Sequence, residues 1–470
     1  MGLRMTNNGA VADWLGEARI AEAIKAGERA EVGQVREILA KASELHGLSL
    51  EDVAILSTTQ DKELLSEIFS AAERVKNEIY GPRIVMFAPL YFSNICINEC
   101  VYCAFRRSNT ELERKVLTQE ELAAETAALI DQGHKRLLLI GGEAFPKDGF
   151  QYVLDAIATI YSVKRDNGEI RRVNVNLAPL TVEQFRALKD AKIGTYQLFQ
   201  ETYDRKVYAQ MHLDGRKTDF DWRATAIDRA MEGGIDDVGL GVLFGLADWR
   251  FDVLSLMQHI AHLEERFGVG CHTISVPRLE PAFGSRVSLH PPAPVSDDDF
   301  MKIVAILRLA VPYTGMIMST RETPEMRRAT FALGVSQISG GSRTNPGGYA
   351  TPVAEDAAQF ERGDHRSLDE VVRDIAAGGR VPSFCTACYR LGRTGQDFMD
   401  LAKPGLIREM CGPNALASFV EYILDYGSPE TAAAGDTAIA AELAVMEPKI
   451  RRYSETMIRK VRAGKRDVFR

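Results

Sequence analysis

From Ile84 onward, short β-rich apolar runs alternate with amphipathic helical stretches, and this alternation constrains the fold more than any other feature of the chain. The runs begin near Ile84, Arg136, Arg172, Thr195, Asp236, Cys271, Gly315 and Gly334. Thr118-Gln-Glu-Glu121 and Thr181-Val-Glu-Gln184 between them read as capping boxes, and Thr323-Pro324 places proline at a first helical position. Repeated βα units call for a parallel sheet covered by helices. Eight of them within residues 81–375 predict an α/β fold, a (β/α)8 TIM-type barrel. Residues 12–25, 35–46 and 62–80 have helical apolar spacing, so 1–80 reads as an N-terminal helical extension. Beyond about residue 375 the helical pattern returns, and 376–470 reads as a C-terminal helical domain.

Barrel chemistry sits on the loops that follow the strands. The first run is followed at once by Cys96-Ile-Asn-Glu-Cys100-Val-Tyr-Cys103. A four-iron cluster has four metal corners, and three thiolates leave one open to an outside ligand. Zinc prefers four tetrahedral ligands, and no fourth cysteine or histidine stands nearby. A second group, Cys385-Thr-Ala-Cys388 with Cys411 after 22 intervening residues, again offers three thiolates and predicts an auxiliary cluster. Six of the seven cysteines fall in these two groups. Cys271 is the one left over, and its strand neighbour His272 is a candidate nitrogen ligand. Alternation along a strand would point His272 into the barrel and Cys271 toward the helices. His259 and His262, three apart on a helix with no third partner in view, read as structural or exposed.

Gly141-Gly142-Glu143 closes the second run. Glycines let backbone carbonyls approach a ligand, and a carboxylate receives an ammonium group. Tyr102 and Phe105 flank the last cysteine of the first loop and are candidates to cover a ring. A net charge of −8 with no basic stripe argues against nucleic acid as the main partner. The basic tail Lys460-Val-Arg-Ala-Gly-Lys-Arg-Asp-Val-Phe-Arg470 reads as a solvated or helix-ending run. No apolar run is long enough to span a bilayer, and no signal pattern opens the chain. The expectation is a cytoplasmic protein whose cysteines are reduced or metal-bound.

On these motifs the chain resembles the radical S-adenosylmethionine superfamily. Within it, the chain resembles the tyrosine lyases of FeFe-hydrogenase maturation, the HydG type, over essentially its whole length. Supporting segments are Tyr196-Gln-Leu-Phe-Gln-Glu-Thr-Tyr203, Ser275-Val-Pro-Arg-Leu-Glu-Pro281, Met318-Ser-Thr-Arg-Glu322 and Pro346-Gly-Gly-Tyr349. The resemblance implies that S-adenosylmethionine chelates the open iron above Cys96, Cys100 and Cys103, with its amine at Gly141, Gly142 and Glu143. One-electron cleavage then yields a 5′-deoxyadenosyl radical. That radical takes hydrogen from the amino group of L-tyrosine, and the Cα–Cβ bond breaks to give p-cresol and dehydroglycine. Dehydroglycine decomposes to carbon monoxide and cyanide near the second cluster, where an additional iron held by His272 collects them. The C-terminal helices are then expected to close the barrel end opposite the first cluster.

Arg321, with Ser319 beside it, is the candidate for the tyrosine carboxylate, which wants a bidentate cation. Glu201 and Arg278 are candidates for the cofactor or substrate. The implied partners are a flavodoxin or ferredoxin as electron donor and hydrogenase maturation proteins, with neither nucleic acid nor membrane. Two alternatives stand beside this reading. One is the related 2-iminoacetate synthase of thiazole biosynthesis, which looks similar through the barrel and lacks the C-terminal cluster set. The other is an iron–sulfur scaffold or electron carrier, which would need neither the Gly141 motif nor a full barrel.

Overall fold

The computed structural model describes residues 11–146, 148–166, 168–351, 357–402 and 406–470; residues 1–10 of the expected N-terminal extension lie outside them. Eight parallel strands form the centre: β1 (Arg83–Ser93), β2 (Arg136–Gly141), β3 (Arg172–Asn176), β4 (Tyr196–Glu201), β5 (Val238–Val242), β6 (Thr273–Ser275), β7 (Gly315–Met318) and β8 (Gln337–Ser339). Each pairs with the next, and β8 returns to β1 with Val85 opposite Gln337, so the sheet closes into a barrel. The strands begin within three residues of the positions expected from the apolar runs. The helices between them are secured locally. Thr118 with Glu121 and Thr181 with Gln184 form reciprocal capping boxes, and Thr323 caps a helix with Pro324 in its first turn.

Four helices, Glu17–Gly27, Val32–Ala42, Leu50–Thr58 and Lys62–Tyr80, pack outside the barrel. Two of them, Leu50–Thr58 and Lys62–Tyr80, cover the helix Asp297–Ala310, whose residues from Lys302 to Ala310 are buried throughout. After β8 the chain runs through the helix Leu368–Ala377 to a ninth strand, β9 (Val381–Ser383). Strand β9 pairs in parallel with the start of β1, with Arg83 opposite Val381. Cys385 and the C-terminal helices therefore gather at the N-terminal ends of the barrel strands, while the Cys96 loop leaves the C-terminal end of β1. Among the described residues no helix is long and apolar enough to cross a membrane.

Candidate active site

At the C-terminal mouth of the barrel, the Cys96–Cys103 loop is fixed by backbone bonds to the segment after β4. Glu99 N–H donates to Asp214 O (2.9 Å), Leu213 N–H to Glu99 O (2.9 Å) and Val101 N–H to Met211 O (3.0 Å). All three cysteines are free thiols and line one cavity in the barrel mouth. Burial, with Glu143 next, pushes Cys96 up to about 11, and burial raises Cys100 and Cys103 as well. Three buried thiolates therefore need compensating positive charge, which iron supplies. Among the described residues no three His, Cys, Asp or Glu side chains converge as a single-ion site requires. Three thiols on one loop lining one cavity are the donor set that a four-iron cluster with one open corner takes. Cys103 Sγ also accepts from Gln359 Nε2 (3.8 Å), whose Oε1 accepts from Tyr91 (2.7 Å).

The Gly141-Gly142 pair has a packing role that sequence reasoning did not provide. A Cβ on Gly141 would lie 2.3 Å from the Phe92 ring, and one on Gly142 would lie 2.2 Å from Ile95 O. Glycine at both positions lets the end of β2 lie against the start of the cysteine loop, with Gly142 N–H bonded to Ser93 O (2.9 Å). Glu143, expected as a bare receptor for an ammonium, already accepts from Arg223 Nη1 (2.7 Å) and Asn98 Nδ2 (2.8 Å). Burial opposes its charge, yet Arg223 and Lys217 hold it below the usual carboxylate range. Glu201 accepts from Lys217 Nζ (2.5 Å), and Arg223 Nη2 lies 3.7 Å from it. Two carboxylates and two cations thus form one buried network beside the cysteines. Lys217 and Arg223 were missed in the sequence, where the available signal was two cations in the segment after the fourth strand.

Tyr102 and Phe105 line the cavity, and Tyr102 is held through its hydroxyl to His212 Nε2 (2.9 Å). Ser319 and Arg321 also line it, and the Arg321 guanidinium lies 3.3 Å from the centre of the Phe360 ring. Burial lowers the Arg321 pKa and favours a carboxylate partner. Glu280, also missed, faces the same cavity; burial and then Glu322 push it up to about 7. Arg278 requires a correction. It does not line the cavity but pairs with Glu322 (Nε–Oε1 2.9 Å) and Asp297 (2.7 Å) and lies over Phe300.

At the opposite end Cys385, Cys388 and Cys411 are free thiols, and Cys388 and Cys411 pack in one cluster with Phe398 and Ile407. The Cys388 thiol, helped by Arg83, lowers Cys411 and is itself raised by that neighbour. Arg136 Nη2 donates to Cys385 O (2.8 Å). The expectation for His272 is corrected in one respect. It precedes β6 instead of lying within it, and its ring packs against Phe398 (4.3 Å) at the barrel floor. Cys271 is fully buried in the main core. His259 bonds Tyr203 (2.7 Å) under Trp14 and His262 bonds Asp228 (2.7 Å), both structural contacts.

Barrel and mouth together define a radical S-adenosylmethionine enzyme, and residues 90–253 match the Radical SAM superfamily. Residues 275–380 match the Biotin and Thiamin Synthesis associated domain. A crystal structure of HydG, a maturase of the FeFe-hydrogenase, superposes with a TM-score of 0.94 at 48% identity, covering 98% of this chain and 100% of that one. HydG from Carboxydothermus hydrogenoformans superposes at 0.83 with 43% identity, over 94% of this chain and 97% of that one. The 2-iminoacetate synthase of Salmonella typhimurium is 32% identical over 350 residues, 74% of this chain and 90% of that protein. The chain belongs to the family of the FeFe-hydrogenase maturase HydG.

Proposed function

We propose that this protein is a radical S-adenosylmethionine lyase that cleaves the Cα–Cβ bond of L-tyrosine to p-cresol and dehydroglycine. It then forms carbon monoxide and cyanide for the iron centre of an FeFe-hydrogenase. The observation that carries this reading is the pair of three-cysteine groups at opposite ends of one barrel. A 2-iminoacetate synthase is the weaker reading, at 32% identity against 48% for HydG.

In this reading Cys96, Cys100 and Cys103 hold a 4Fe–4S cluster with one open corner. Cys385, Cys388 and Cys411 hold an auxiliary cluster, and His272 binds the additional iron. When bound, the mouth cluster with S-adenosylmethionine supplies a one-electron, hydrogen-abstracting oxidant. The chain's own residues do the remaining work. The Glu143–Arg223 and Glu201–Lys217 pairs set a fixed, nearly neutral wall against which a zwitterionic methionyl group is oriented. Tyr102 and Phe105 close the wall beside the cysteines and exclude water. Arg321, stacked on Phe360, presents its guanidinium to the tyrosine carboxylate, with the Ser319 hydroxyl next to it. At the floor the expected 376–470 segment contributes the second cysteine set. A flavodoxin or ferredoxin delivers the electron, and the reading places the protein in the cytoplasm.

The test is anaerobic reconstitution with dithionite, S-adenosylmethionine and L-tyrosine, assaying p-cresol, cyanide and carbon monoxide together. All three are expected from the parent, and Cys385→Ala is expected to keep p-cresol and lose cyanide. Cresol with glyoxylate and no cyanide from the parent overturns the reading in favour of the thiazole-type lyase.

A further inference from the structure

Asp237 and His272 stand side by side at the barrel floor, at the N-terminal edges of β5 and β6. Their backbones are fixed by the barrel: His272 N–H donates to Val238 O (2.8 Å), and Tyr196 N–H donates to Asp237 O (3.1 Å). Their side chains are left over. Asp237 is 2% exposed, and neither of its carboxylate oxygens has a hydrogen-bond partner. The facing His272 Nδ1 is also enclosed and unpartnered, 3.8 Å from Asp237 Oδ2. An unpaired buried carboxylate is costly, so a group left in this state is stabilised once a neighbouring N–H or a bridging water donates to it. The cations of the neighbouring strands do not serve. Arg136 and Arg172 lie over the Tyr389 ring, and the Tyr389 hydroxyl is taken by Thr195 (3.0 Å).

The geometry also separates the two nitrogens of the imidazole. Phe398 packs against the ring at 4.3 Å and restrains its rotation, and Nδ1 is the nitrogen turned to the carboxylate. Nε2 is left as the nitrogen available to a metal. Histidine ligands of metals commonly donate their second N–H to a carboxylate, which fixes the tautomer and makes the ligating nitrogen more basic.

We propose that Asp237 is the positioning residue for the floor iron: it accepts the Nδ1 proton of His272 and so commits Nε2 to the additional iron beside the second cluster. The separation of 3.8 Å exceeds a direct hydrogen bond, so the pair closes, or takes up a bridging water, as the metal binds. This rests on the reading of His272 as that iron's ligand, and the experiment separates the two ideas. Whole-length Asp237→Ala, Asp237→Asn and His272→Ala proteins are reconstituted with both clusters and titrated with ferrous iron. Iron per chain and the EPR signature of the additional iron are the readouts.

Asp237→Ala is expected to weaken the additional iron by about 10- to 100-fold. Asp237→Asn, whose amide oxygen still accepts from Nδ1–H, is expected to recover much of that binding with an altered EPR signal. A purely structural carboxylate would instead lower the thermal midpoint of the metal-free Asp237→Ala protein. Deleting an unpaired carboxylate should leave that midpoint unchanged or raise it. Parent-like iron affinity and EPR signal in Asp237→Ala, with the iron lost in His272→Ala, overturn the role of Asp237 alone. Retention of the iron in His272→Ala overturns both.

Discussion

Glu201 has a backbone φ of 74°, a left-handed conformation that costs a residue with a side chain about 1–3 kcal/mol. The barrel maintains it because the β4 ladder shifts register between Phe199 and Glu201, and Leu243 N–H donates to Glu201 O (2.8 Å). The twist aims the carboxylate at Lys217, so strain is stored where the cavity needs an oriented charge. Buried groups away from the cavity show the opposite economy. His259 has one nitrogen bonded to Tyr203 and the other enclosed, and burial pushes it down to about 3. As pH falls through the ordinary imidazole value of 6.5, the unfolded chain takes up a proton that the folded chain refuses. The stability tied to neutral His259 is therefore complete above that value and erodes between 6.5 and about 3. At about pH 5 the loss amounts to about 2 kcal/mol. His259→Phe is expected to lose about 2 kcal/mol less stability than the parent between about pH 8 and about pH 5, measured by denaturant unfolding. Equal losses in the two proteins would refute this.

At the scale of elements, the features readable in sequence were those written locally. The Cys96–Cys103 and Cys385–Cys388 spacings, the capping boxes and each strand or helix period are contained within a short stretch of chain, and the barrel and these cysteine motifs followed from them. Features that depend on partners distant in the chain were not readable. Arg278 stood at a strand end, but its choice of Glu322 over the cavity depends on a contact 44 positions away. His272 stands one residue before the β6 ladder, which begins at Thr273, and its neighbours Phe398 and Asp237 come from distant segments. The C-terminal tail is a similar case. It reads as a solvated or helix-ending run, and Lys460 and Arg462 do end the helix Pro448–Arg462. What was not readable is that farther on Asp467 N–H donates to Glu421 (2.7 Å) and Arg470 N–H to Asn414 (2.8 Å) on the helix Leu406–Asp425, which carries Cys411. Arg390 beside Cys388 pairs with Asp467 (2.8 Å). Deleting residues 464–470 is expected to release both cysteine-bearing segments. Reconstituted protein should then retain about four irons, those of the mouth cluster, where the parent holds about eight or more. Iron analysis checks this, and an unchanged iron content would show that the tail does not support the floor.

The whole molecule has a three-cysteine group at each end of the barrel, and an apolar layer lies below the mouth cavity. Phe87, Leu138 and Ile317 form one packed cluster with Ile140 against it, contributed by β1, β2 and β7, and all four also line the mouth cavity. If tyrosine is cut at the mouth and its fragment becomes carbon monoxide and cyanide at the floor, the fragment crosses this layer or escapes to solvent. Dehydroglycine carries a carboxylate but is smaller than p-cresol, so in that case the layer would sort the two products by size and not by polarity. Ile317→Trp adds volume where the layer is already packed, which closes the gap at the cost of some local strain. Cysteines and ion pairs at the mouth stay in place, so p-cresol should continue to form. The ratio of cyanide to p-cresol should fall severalfold, with glyoxylate from hydrolysis of the escaped imine rising to match. Measuring the three products in one anaerobic turnover tests the idea. An unchanged ratio would mean that the fragment travels outside the barrel, and that the two ends are coupled only by sharing a chain.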